Sequence, residues 1–130
     1  EESMVDFNAA NATMPASDME RAKAWYADKL GLKPTESEEV GAYYSVGSGR
    51  FLLYPSQFAG TNQATAMALE VDDLESVVAE LKTKGVVFED YDIPGVETKN
   101  NIATFEAEGR LVSAAWFKDS EGNILSVGTG

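Results

Sequence analysis

The chain has 130 residues, of which 44% are hydrophobic and 25% charged, enough for one globular domain that buries about two-thirds of its unfolded surface. Ten Lys and Arg against 22 Asp and Glu give a net charge of −12, which excludes the basic stripe a nucleic-acid partner requires. With no Cys and no His, disulfides, thiolate metal sites and Ser-His or Cys-His catalysis are all excluded. No apolar run approaches the roughly 20 residues of a membrane span, and no signal-peptide pattern opens the chain, so a cytoplasmic location and no membrane contact are expected. Glu1-Glu2-Ser3 precede Met4 and are set aside as a cloning remnant.

Residues 9–15 predict a short strand ending at Pro15. A helix follows over 17–31, with Met19, Ala22, Tyr26 and Leu30 on one face and Trp25 beside them. Its start carries a capping box of Ser17 and Glu20, and Gly31 suits its left-handed end. Residues 42–46 and 51–54 predict a hairpin around Gly47-Ser48-Gly49, closed by Pro55, with a loop over 55–63. The order then repeats. Residues 64–71 predict a strand, and 73–84 a helix with Leu74, Val77, Val78 and Leu81 inward. That helix is boxed by Asp72 and Glu75, 55 residues after Glu20. Residues 86–89 predict a short strand, and 111–118 with 123–128 a closing hairpin around Asp119-Ser120-Glu121-Gly122. The segment 90–109, with Pro94, Gly95, Asn100-Asn101 and Gly109, is read as an irregular insertion, either a lid or a surface connection. Asp119 and Glu121 are expected to bond backbone N–H groups.

The motifs Asn11-Ala-Thr-Met-Pro-Ala-Ser-Asp-Met-Glu-Arg-Ala, Trp25-Tyr26, Leu30-Gly31-Leu32 and Trp116-Phe-Lys-Asp-Ser-Glu-Gly-Asn-Ile-Leu resemble those of the vicinal oxygen chelate superfamily. That superfamily includes glyoxalase I, extradiol dioxygenases and bleomycin-binding resistance proteins. Phe51-Leu-Leu-Tyr-Pro-Ser-Gln-Phe-Ala-Gly-Thr is also similar to a bacterial glyoxalase-like branch for which the resemblance implies no substrate. The resemblance implies an α+β fold: two tandem βαβββ modules forming a half-open, pseudo-twofold barrel with helices outside. It would be one domain over 4–130, with module one about 8–60 and module two about 61–130. It also implies a homodimer.

In metal-dependent relatives, four inward side chains hold the ion. Carried over, their positions fall on Asn11, Leu53, Ala66 and Ser126. An amide, a hydroxyl and two apolar groups make a poor set for a divalent transition ion, so no metal and no cofactor are expected. Strand alternation counted from these positions gives a cavity lining of Asn11, Thr13, Tyr43, Leu53, Ala66, Ala68, Ala114, Trp116 and Ser126. Two aromatic rings, several small side chains and a few neutral polar groups suit an apolar small-molecule site; the same residues also suit a filled core. Phe58 and the segment 91–105 are candidates to cover the mouth.

The function expected is metal-independent binding of a small molecule, a flat aromatic or a cationic compound. The alternative is a lyase, isomerase or dioxygenase of this fold, in which Glu106, Glu108 or Tyr43 would move the proton.

Overall fold

The computed structural model describes residues 5–91, 94 and 96–129. The leading Glu1-Glu2-Ser3, and Gly95 within the segment 90–109, lie outside these. Twelve elements are arranged in two repeats. The first is β1 (Ala12–Ala16), α1 (Met19–Leu30), β2 (Glu36–Glu38), β3 (Gly41–Val46) and β4 (Gly49–Pro55). The second is β5 (Thr65–Glu70), α2 (Leu74–Thr83), β6 (Phe88–Glu89), β7 (Glu97–Lys99), β8 (Ile102–Ala107), β9 (Arg110–Lys118) and β10 (Ile124–Thr129). The first sheet runs β1-β4-β3-β2, and the second β5-β10-β9-β8-β7 with β6 also on β9. Each opening strand lies parallel to the closing strand of its own repeat. The sheets are open, and the two edge strands β1 and β5 lie beside each other.

Both helices start one residue later than their capping boxes predict. Asp18 is the cap of α1, its carboxylate accepting from the Arg21 N–H at 3.1 Å, and Asp73 caps α2 through the Ser76 N–H at 3.2 Å. Ser17 is turned to other partners: its N–H and hydroxyl donate to Glu121, and its oxygen accepts from the Arg21 guanidinium rather than from the helix backbone. Glu20 and Glu75 keep a favourable place in the first turn, where a negative charge meets the positive end of the helix. Gly31 closes α1 at φ 69°, as its position predicts.

The segment 90–109 differs from expectation. Over 97–107 it is regular rather than irregular: β7 and β8 form a hairpin that extends the second sheet past β9. Asn100 and Asn101 turn it at φ 54° and 71°, and Glu108 and Gly109 turn β8 into β9 at 50° and 79°. Paired residues of positive φ match the twist of the flanking strands.

One face of each sheet packs on the helices, and the two repeats share one core. Tyr26 of α1 lies over Tyr44 and Phe51 of the first sheet, while its neighbour Trp25 reaches Phe117 of the second. Leu74, Val78 and Leu81 of α2 join the same cluster as Phe88, Phe117, Leu125 and Val127. Among the described residues, no helix lies on the opposite, open face of each sheet.

The repeats are also locked by polar groups. The turn between β9 and β10 inserts Glu121 at the start of α1. There Oε1 accepts from the N–H groups of Ser17 and Asp18 at 3.0 Å each, and Oε2 accepts from Arg21 Nε at 2.8 Å. The Arg21 bond, foremost, holds the Glu121 carboxyl down at about 2 against its ordinary 4.5. Asp119 accepts from the Glu121 and Asn123 N–H groups, as expected, and from the Tyr26 hydroxyl at 2.7 Å. Burial, then the Asp119 charge, pushes the Tyr26 phenol far above its ordinary range, so it remains a neutral donor. Asn123 donates to the Pro15 carbonyl and accepts from the Gly60 N–H.

Candidate functional site

Strand register decides which side chains share an open face. In the first sheet Thr13 lies beside Leu52, and Leu52 beside Tyr43. Thr13 and Tyr43 therefore share the open face, as expected, with Asn11 exposed just before β1. Leu53 does not join them. It pairs with Met14 and Ala42, faces the helix and is 0% exposed. The register gives Leu52 the position expected of Leu53, because a one-residue error in counting turns every side chain of a strand to the other face. The ring of Tyr43 is itself covered: the Arg50 guanidinium lies over it at 4.1 Å and is 3.8 Å from Glu36.

In the second sheet one row runs Ala68, Ser126, Trp116, Glu89, and the next Glu70, Gly128, Ala114, Ala103. Ala68, Ala114, Trp116 and Ser126 therefore share the open face. Ala66 is displaced from it. A bulge between Ile124 and Leu125 leaves Ala66 unpaired in β5, and it packs against the core. Its neighbour Thr65 takes its place, accepting a hydrogen bond from Trp116 Nε1 at 3.2 Å.

The structure thus divides the expected lining between two sheets. Ala68, Ala114 and Ser126 line a hollow of 270 Å³ with Phe105 and Val112. Phe105 comes from β8, for which the sequence predicts no strand, and Val112 lies two residues before Ala114 on the same face of β9. Gly128 keeps this hollow's floor low, since a Cβ there would stand 2.6 Å from the Ser113 carbonyl oxygen. A second hollow of 320 Å³ lies past Trp116, lined by Gly60, Asn62, Gln63, Glu89, Tyr91, Lys118, Gly122 and Ile124. Trp116 lines neither hollow; it lies between Ala114 and Lys118 on β9, partly exposed, in T-shaped contact with Tyr91 at 5.6 Å. A groove of 570 Å³ separates the β3–β4 turn from β5. Phe58, expected near a mouth, is 67% exposed and does not line these hollows.

The donor set does not fit the ion of metal-dependent relatives. Asn11 and Ser126 offer only an amide and a hydroxyl, and neither Leu52 nor Leu53 has a donor atom. Among the described residues, no three His, Cys, Asp or Glu side chains converge. Of the proton-transfer candidates, Tyr43 shares the open face of the first sheet, and the two glutamates lie away from the open faces. Glu106 is exposed on the opposite face of β8 from Phe105, and Glu108 sits in the turn to β9. No described helix is long and apolar enough to cross a membrane.

The first repeat is βαβββ and the second adds two further strands to that order, and the sequence assigns the family: residues 9–127 match the model of the Glyoxalase/Bleomycin resistance protein/Dioxygenase superfamily. The chain belongs to that superfamily. Solved structures share the fold. A glyoxalase / bleomycin resistance protein from Catenulispora acidiphila DSM 44928 is 25% identical over 93% of this chain and 96% of its own, at a TM-score of 0.63. A glyoxalase/bleomycin resistance protein/dioxygenase from Alicyclobacillus acidocaldarius is 15% identical over 94% and 90%, at 0.68. UcmS2 is 17% identical over 95% and 100%, at 0.67. Comparison with curated protein sequences finds no match.

Proposed function

We propose that this chain is a metal-independent small-molecule binding protein whose guest, a flat aromatic or a cationic compound, lies against Trp116 on the open face of the second sheet. The observation that carries this reading is the state of Trp116. Its indole N–H is already bonded to Thr65 and Tyr91 packs against it in a T-shaped contact, yet the residue stays partly exposed on the strand that runs from one hollow to the other. A ring held in place before its partner arrives loses little freedom on binding. The floor of Ala68, Ala114, Ser126 and Gly128 leaves room for a planar guest, and Phe105 supplies a second apolar wall. Tyr43 contributes less than the sequence implied, because Arg50 already occupies its face.

The reading extends to a homodimer, since among the described residues no helix covers the open faces and a second copy would shield them. Sedimentation at micromolar concentration tests this, and a monomer would reject it. For binding, the test is fluorescence titration with a library of planar aromatic compounds, with and without chelator. Quenching that is indifferent to chelator and abolished by Trp116→Ala, with the variant still folded, is the expected result. Quenching that needs a divalent ion would overturn the reading in favour of a metal site.

A further inference from the structure

We propose that the hollow bounded by Asn62, Glu89, Tyr91 and Lys118 is a subsite for a neutral oxygen acceptor, so that the guest is a planar compound bearing a carbonyl oxygen of the amide or ketone kind. This rests on the reading that a flat ring lies against Trp116, and it narrows that reading by excluding a cation.

The hollow holds 320 Å³ and adjoins Trp116 on the side of Lys118 and Ile124. Its polar groups present donors. Asn62 Oδ1 already accepts from the Ala64 N–H at 3.0 Å, which leaves the two N–H bonds of its amide free to donate. Lys118 Nζ lies 3.4 Å from Glu89 and retains further N–H bonds. The pair is neutral in sum. A guest carrying a full negative charge would face Glu89, and a cation would face Lys118.

The Tyr91 hydroxyl is the most informative group. It is shielded from solvent and has no hydrogen-bond partner among the described residues. Burial keeps this phenol protonated, its pKa raised above the ordinary value. An unpaired buried hydroxyl is a standing cost to the fold. A carbonyl oxygen entering the hollow, with a small rotation of the Tyr91 ring, would remove that cost.

The test uses the full chain with Trp25→Phe, so that emission reports Trp116 alone, and three probes: 2-naphthamide, 2-naphthylmethylammonium and 2-ethylnaphthalene. The amide should quench and bind about tenfold more tightly than the ammonium. Tyr91→Phe should weaken amide binding by about three- to tenfold, the value of one neutral hydrogen bond, and leave 2-ethylnaphthalene unchanged. In the free protein, Tyr91→Phe should leave the Tm equal or higher, because the orphaned hydroxyl is gone. Amide and hydrocarbon binding equally, or an amide affinity indifferent to Tyr91→Phe, would overturn the subsite while the Trp116 reading stands. A lowered Tm for unliganded Tyr91→Phe would also overturn it, by showing that the hydroxyl already has a partner. Quenching by none of the three would reject the subsite and the Trp116 reading together.

Discussion

Two buried tyrosines, Tyr26 and Tyr44, share one core and differ in what their hydroxyls meet. Tyr26 donates to a carboxylate, whereas the hydroxyl of Tyr44, whose ring is stacked on Phe51 at 4.6 Å, has no partner among the described residues. The same substitution should therefore have opposite signs. Tyr26→Phe removes a bond to a charged group and is expected to cost about 1.5–3 kcal/mol. Tyr44→Phe removes an unpaired polar atom and is expected to raise stability by about 1 kcal/mol. Urea unfolding of both variants checks the pair, and a loss of stability in Tyr44→Phe would show that its hydroxyl is bonded after all. The sequence marked Tyr26 as core through its helical spacing. Nothing in it distinguished the two hydroxyls, because their partners are set by residues far away in the chain.

Among the elements, the turn Asp119-Ser120-Glu121-Gly122-Asn123 does the most to join the repeats. Its bonds to backbone N–H groups were legible, since short acids in a glycine turn favour them. The reach of Glu121 to Ser17 and Arg21, about a hundred residues earlier, was not. A carboxylate whose folded value lies below its unfolded value stabilises the fold fully above the unfolded value, and that contribution fades as pH falls toward the folded one. For Glu121 the window runs from about 4.5 down to about 2. Stability measured across that range is expected to decline toward acid, and Glu121→Gln should flatten this part of the decline while weakening the fold at pH 7. An unchanged slope in the variant would assign the acid sensitivity to other carboxylates.

Elements were legible where burial left a period. Both helices and the two hairpins had one. Strand β2 had none, because Glu36-Ser37-Glu38 is exposed at every position. The β7–β8 hairpin did carry a signal, namely Asn100-Asn101 before Ile102 and Glu108-Gly109 before Arg110, two dipeptides suited to positive φ. The segment's Pro94 and glycines masked it. The candidate site was half legible for a related reason. Alternation places side chains correctly only while the strand stays regular, so the bulge at Ala66 and the slip at Leu53 each misplaced a residue.

For the whole molecule, the interlocking of the β9–β10 turn with the start of α1 has a consequence for how the protein can be divided. A cut between Gln63 and Ala64 falls in an exposed loop and severs no strand pair. The leading fragment would then lack the Glu121 carboxylate that Ser17 and Arg21 donate to and the Asp119 carboxylate that Tyr26 donates to, and the trailing fragment would lack the side chains that seat its final turn. Neither piece should hold a cooperative structure by itself, yet mixed at equal concentration they should reconstitute the parent's circular dichroism spectrum in one-to-one proportion. A leading fragment that melts cooperatively in isolation would mean that the ancestral half-protein still survives as an autonomous unit.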